Sequence, residues 1–224
     1  DSSGETIPLS PHLADCPNRL IYLPRWDECP LDISSLGLGK PDVVVLVFTA
    51  LPSRFEEVLA EGLQEKYAES TIVQISLGNR TQNVSDDKWT CDVNDVRGFE
   101  SCLKEYAIPD VLYFLSGCRE EGALLDCDFV STSQVYNEIQ LLRLVQWFAK
   151  SKPIDAPIDC YVLTIDNHRI GNSLSRSFGG GLTGLAYAIA QASHWFRVRN
   201  IDLSALDLIE SQKQETSLRM IFSE

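Results

Sequence analysis

The segment with the most chemical promise is Gly179-Gly180-Gly181-Leu182-Thr183-Gly184, a match to G-x-G-x-x-G that opens a helical stretch and is followed by Asp202 at the end of the next strand-like run. In a dinucleotide site the glycines make a tight turn, admit the pyrophosphate to the backbone and let helix and strand pack closely, while the acid binds a ribose hydroxyl. That chemistry needs the turn to follow its strand directly. Here about a dozen residues, 166–178, intervene, and the unit is the fifth repeat rather than the first. The glycines are therefore read as loop closure and tight packing, with Gly184 set against a strand. After the first buried run the turn is Thr49-Ala50-Leu51-Pro52-Ser53-Arg54-Phe55, which holds no glycine. Pro52 removes an N–H, and Leu51 and Phe55 are expected to keep a phosphate away. Carbonyl reduction through a tyrosine phenol needs a lysine four residues later. Counted back from Gly184-Leu185, those two places hold Ser175 and Gly179, and neither can do that work.

Other reactive residues are scattered. His12 lies in a linker, and His168 and His194 fall in or near loops, where solvated imidazoles are the expectation. The pairs Asp126 with Asp128 and Asp86 with Asp87 have the oxygen chemistry of a cation site, but acidic loops on so acidic a chain are expected to be solvated. Seven cysteines (Cys16, Cys29, Cys91, Cys102, Cys118, Cys127, Cys160) form no C-x-x-C pair, so neither a zinc knuckle nor a redox motif is expected. No G-x-S-x-G is present. Asn79-Arg80-Thr81 and Asn83-Val84-Ser85 fit the glycosylation pattern, which matters only in a secreted chain. No catalytic, cofactor-binding or metal-binding residue is therefore assigned.

The elements that would have to position any site are those of a parallel α/β sheet, because short β-branched runs alternate with stretches of helical period. Strands are expected at 42–48, 71–77, 110–115, 160–165 and 197–203. Helices are expected at 54–66, 96–106, 133–150 and 182–191. The order βαβαβαβαβ predicts one pseudo-Rossmann, doubly wound, mostly parallel sheet with helices on both faces. Residues 1–18 read as a linker, 19–41 as an N-terminal strand and loop, 42–210 as the Rossmann-like domain, and 211–224 as a C-terminal segment leading to a further domain. The apolar strand Leu20-Ile21-Tyr22-Leu23 stands apart from the sheet and is expected to be covered by a partner.

The chain has 224 residues, 44% hydrophobic and 23% charged, with a mean hydropathy of −0.07, so disorder, collagen and coiled coil are excluded. With 19 Lys+Arg against 32 Asp+Glu, the net charge of −13 argues against nucleic acid and against anionic membrane surfaces. The apolar run Val43 to Phe48 is too short to span a bilayer. The polar start Asp1-Ser2-Ser3-Gly4-Glu5 is unlike a signal peptide, so a cytoplasmic chain with reduced thiols is expected. The start without Met and the end at Phe222-Ser223-Glu224 suggest a piece of a longer polypeptide.

Four segments in order carry a family resemblance. Leu20-Ile21-Tyr22-Leu23-Pro24-Arg25-Trp26 resembles the strand that opens the structural subdomain of modular polyketide synthase ketoreductases, which are related to short-chain dehydrogenases/reductases. Tyr161-Val162-Leu163-Thr164, Leu182-Thr183-Gly184-Leu185 and Arg199-Asn200-Ile201-Asp202-Leu203-Ser204 resemble its closing half, over residues 19–210. The resemblance implies a noncatalytic subdomain with no cofactor of its own. It would brace a downstream catalytic half that binds NADPH and reduces β-ketoacyl intermediates held on acyl carrier protein. The alternatives are a standalone nucleotide-binding enzyme using Gly179 to Gly184, and a pseudo-reductase module that docks neighbouring synthase domains.

Overall fold

Strand β1 (Val43–Phe48) is built of β-branched and aliphatic residues, and its first five residues are buried on both sides. Val43, Val45 and Val47 enter one apolar core and Val44 and Leu46 the other, so the strand lies mid-sheet between two helical layers. The computed structural model describes residues 40–49, 51, 54–115, 127–151, 157–168 and 180–223. In chain order β1 is followed by α1 (Phe55–Lys66), β2 (Thr71–Gly78), β3 (Gln82–Ser85), β4 (Lys88–Asp92), α2 (Gly98–Leu103) and β5 (Val111–Leu115). Next come α3 (Cys127–Tyr136), α4 (Glu138–Ser151), β6 (Ile158–Ile165), α5 (Gly180–Ala192), β7 (Phe196–Leu203), α6 (Ala205–Ile209) and α7 (Ser211–Ser223).

The sheet order is β3-β4-β2-β1-β5-β6-β7, with every pairing parallel except β3 with β4. Without β3, the strands follow the doubly wound order 3-2-1-4-5-6 in chain sequence. The order reverses between β1 and β5, and the crevice outside their carboxyl ends is where such sheets take ligands. On one face α2, α4 and α5 contribute Phe99, Leu103, Leu141, Leu144, Phe148 and Leu182; on the other α1, α6 and α7 contribute Phe55, Leu59, Leu63, Leu208 and Ile221. The expected fold class is the one observed.

Several details differ from the sequence expectation. Residues 82–92 form an edge hairpin, which alternation could not reveal because all four side chains of β3 are exposed. The helix expected over 96–106 shrinks to 98–103, since the Asp92 and Asp95 carboxylates accept from the N–H groups of Asn94 and Arg97, both at 2.9 Å, and hold that stretch in turns. The helix expected over 133–150 is two helices broken at Asn137, whose buried amide donates to Ser133 Oγ at 3.1 Å. Residues 211–223 form α7, which buries Gln214, Ser217 and Ile221 and lies along α1. Gly62 permits that approach, for a Cβ there would stand 3.0 Å from the Phe222 ring and 3.2 Å from Leu218 Cδ1. The strand expected at 19–26, with Ile21 and Tyr22, lies outside the described residues.

Candidate functional site

At the carboxyl end of β1 the chain turns directly into α1. Thr49 is buried and its N–H donates to Leu115 O at 3.2 Å, which ties the turn to β5. Leu51 and Phe55, expected to project toward a phosphate, instead point down into the core, with exposures of 6% and 0%. They form the floor of the crevice rather than an obstruction above it. Arg54 takes a left-handed conformation at φ 54°, donates its N–H to Leu51 O, and pairs with Glu57 at 2.5 Å without capping the helix by its side chain.

The first turn of α1 holds Glu56, which the sequence did not single out. It is only 6% exposed, at the first turn of α1. Burial pushes its carboxyl above the ordinary range, more strongly than hydrogen bonds from the backbone N–H groups of Glu56 and Leu51 pull it down. Its Oε2 and the hydroxyl of Thr49 are buried without a partner. An acid in a first helical turn is so ordinary a preference that nothing in the sequence marked this one as buried.

Asp202, the acid that follows the G-x-G-x-x-G match, is engaged on both oxygens by its own domain. Its Oδ1 accepts from Thr164 Oγ1 at 2.7 Å and from Asn167 N at 3.0 Å, and its Oδ2 accepts from His168 N at 2.8 Å. The same network runs on through Asn167 Nδ2 to Thr183 Oγ1, Thr183 Oγ1 to Asn200 Oδ1, and Asn200 Nδ2 to Val162 O. The arrangement fastens the exit of β6 to the start of α5. Three of the roughly four acceptor positions of the Asp202 carboxylate are thereby taken up within its own domain.

Gly184 is not the packing glycine it was expected to be. A Cβ there would meet nothing within 4 Å, whereas one on Gly181 would clash with Glu138 Oε1. Gly184→Ala should raise stability by about 0.5–1 kcal/mol through helix propensity, read as a higher midpoint in thermal denaturation; a lower midpoint would show hidden packing. Apolar side chains are exposed on both helices of this layer, with Ile139 at 37% and Leu142 at 42% on α4 and Tyr187 at 64% on α5.

The remaining candidates do not converge. His194, Asp86 and Asp128 are exposed and far apart in the chain, and no group of three His, Cys, Asp or Glu able to hold a metal forms among the described residues. Cys91, Cys102 and Cys160 are buried free thiols, and burial pushes Cys160 up to about 12, far from a reactive thiolate. Asn79 and Asn83 are exposed, and the Asn79 amide oxygen accepts from Tyr136 at 3.4 Å. His12, Cys16, Cys29, Cys118, Asp126, Ser175 and Gly179 lie outside the described residues, as does the side chain of Cys127. Among those described, no helix is long and apolar enough to cross a membrane.

No protein-family model matches the sequence, and no curated protein matches it. Solved structures do. The adenylation, ketoreductase and pseudo-Asub multidomain structure of a keto acid-selecting NRPS module superposes with a TM-score of 0.69 at 13% identity, over 88% of this chain and 16% of that one. An N-terminal ketoreductase from the macrolactin assembly line gives 0.55 at 13% identity, over 81% of this chain and 36% of that one. A doubly substituted Serratia marcescens short-chain dehydrogenase/reductase gives 0.56 at 10% identity, over 81% and 88%. This chain thus spans a minor part of the first two and most of the length of the third. At these identities the likeness is one of fold: the chain is a Rossmann-like α/β domain of the kind found in short-chain dehydrogenases/reductases and in assembly-line ketoreductases.

Proposed function

We propose that this chain is the noncatalytic structural subdomain of a polyketide synthase ketoreductase, bracing an NADPH-dependent catalytic half that reduces β-ketoacyl groups carried on acyl carrier protein. The observation that supports it most is the start of α1, where the acid Glu56 is buried in the first turn and the segment Thr49 to Phe55 supplies no glycine for a phosphate cradle. A pyrophosphate needs backbone N–H groups open to it at that helix start, and here the buried acid Glu56 stands in the first turn. The engagement of Asp202 within its own network supports the same reading.

A bracing domain needs a surface to brace with, and Ile139 and Leu142 on α4 and Tyr187 on α5 are exposed apolar side chains of the kind found in protein contacts. Calorimetric titration with NADPH is expected to give no saturable heat with this chain alone. A separately produced catalytic half should bind it and reduce a model ketone faster in its presence. Leu142→Asp should weaken that association at least tenfold while leaving the midpoint of this chain's own unfolding nearly unchanged. Saturable NADPH binding by the isolated chain overturns the noncatalytic reading, and unimpaired association of Leu142→Asp removes this face from it.

A further inference from the structure

The helical layer that carries α2 and α4 holds a cavity of about 390 Å³, lined by residues other than those assigned to bracing. Its volume lies within the roughly 300–1,000 Å³ range of small-molecule sites. From α4 come Arg143, Trp147 and Lys150, whose spacing of four and three residues puts them on one stripe of the helix. The other wall is Arg97, Phe99 and Glu100, at the start of α2. Both walls are held in place. The Val93 carbonyl, in the turn that leads to α2, accepts from Gln140 Nε2 at 2.8 Å and from Arg143 Nη1 at 2.6 Å, which ties α4 to that turn. The Arg97 N–H donates to Asp95 Oδ1 at 2.9 Å, and Phe99 is buried. Trp147 is half-buried and set edge to face against Phe148, with ring centroids 5.1 Å apart.

The charge of this cavity runs against that of the chain. Three cations line it with one acid, whereas the whole chain carries a net charge of −13. None of Arg97, Arg143 and Lys150 forms an ion pair with a carboxylate among the described residues. Arg143 uses one N–H on the Val93 carbonyl, and a guanidinium has several more to give. Two guanidinium forks and an ammonium match the oxygens of a phosphate, and the surplus of positive charge suits a dianion better than a monocarboxylate. A polyanion would have to lie across the acidic surface beyond the cavity, so the field of the whole chain favours a small ligand. On the same stripe of α4 the Trp147 indole offers an aromatic ring a surface to pack on. We propose that this cavity binds an aryl phosphate, a phosphate monoester on an aromatic ring, with Arg97, Arg143 and Lys150 holding the phosphate and Trp147 packing against the ring.

Calorimetric titration of the unaltered chain with phenyl phosphate, and with inorganic phosphate alongside, tests the proposal. Phenyl phosphate should bind saturably, about fivefold or more tightly than inorganic phosphate, and its affinity should fall as salt is raised. Arg97→Glu combined with Lys150→Glu alters two exposed side chains, so it should weaken phenyl phosphate by about tenfold or more while leaving the unfolding midpoint nearly unchanged. Trp147→Leu keeps the cations and removes the ring contact, so it should bring phenyl phosphate down to the affinity of inorganic phosphate. Should Trp147→Leu fail to fold, the charge-reversed variant still decides. The group has two sources, a free small molecule or the phosphotyrosine of a polypeptide, and a short neutral phosphotyrosine peptide separates them. Tighter binding than phenyl phosphate assigns the site to a polypeptide, and weaker binding assigns it to a free molecule. No saturable binding of phenyl phosphate, equal affinity of the unaltered chain for both phosphates, or an undiminished response in the charge-reversed variant overturns the proposal.

Discussion

Replacing Asp202 by alanine is expected to lower the unfolding free energy by about 3 kcal/mol, a fall in melting midpoint on the order of 10 °C for a chain of this size. The carboxylate receives three hydrogen bonds, from Thr164 Oγ1 and from the N–H groups of Asn167 and His168. Charge-assisted bonds of this kind contribute roughly 1.5–3 kcal/mol each, and partial access of water to the site lowers the sum. Thr164 is fully buried, so its hydroxyl has no solvent to turn to once the carboxylate is gone. Asp202→Asn separates charge from shape. An amide nitrogen facing the His168 N–H sets donor against donor, so asparagine should recover less than half of the loss. If the residue were instead held free for a ribose, both variants would leave the midpoint within about 0.5 kcal/mol of the parent, as surface changes do. Chemical denaturation of the three proteins distinguishes the cases.

Asp159→Ala is the second large effect expected, at about 3 kcal/mol of destabilisation. Asp159 sits at the amino end of β6, 3% exposed, and receives Arg197 on both oxygens, at 2.7 Å from Nε and 2.6 Å from Nη2. Arg199 adds a third contact at 3.5 Å and lies over the Tyr161 ring, with its guanidinium carbon 5.4 Å from the centroid. Alanine would leave two guanidinium groups side by side with no counter-charge, in the strand pair that ends the sheet. Arg197 is 47% exposed and can turn to water, which keeps the cost below that of a wholly buried pair. The double variant Asp159→Ala with Arg197→Ala should therefore recover part of the loss, and a strictly additive result would show that the pair is not coupled.

Glu56 gives stability a pH dependence of definite sign. Its folded-state carboxyl lies above the ordinary range because burial disfavours the charged form. Its contribution is therefore present at low pH and is lost as pH rises from the unfolded-state value through the folded one. Glu56→Gln should remove that loss, making the variant more stable than the parent at neutral pH and similar to it in acid. Unfolding curves of the two proteins across that interval check the direction. A parent that gained stability over Glu56→Gln with rising pH would mean that the carboxylate is better solvated in the fold than in the unfolded chain.

What the sequence determined by itself is the class of the fold. Runs such as Val43 to Phe48 and Val111 to Leu115 are apolar on both sides, which only a sheet covered on both faces can bury. A turn without glycine, from Thr49 to Phe55, is a local fact that no tertiary context alters. Tertiary structure alone decided the rest. Gly184 and Gly181 are equivalent as letters in a motif, yet one faces open space and the other lies against Glu138, because helix rotation is set by packing on the sheet. The acid of Asp202 has the spacing of a ribose ligand and the partners of a structural clasp, and those partners lie 34 to 38 residues away in the chain. The exposed strand β3 and the break at Asn137 carry no periodic signal, since one is wet on every side and the other depends on a buried amide finding Ser133. Glu56 is the sharpest case: local preference puts an acid in a first helical turn, but its burial follows from where that turn falls against β1 and β5. Periodicity reports which side of an element is apolar, whereas the fate of a polar group depends on what the folded chain brings beside it.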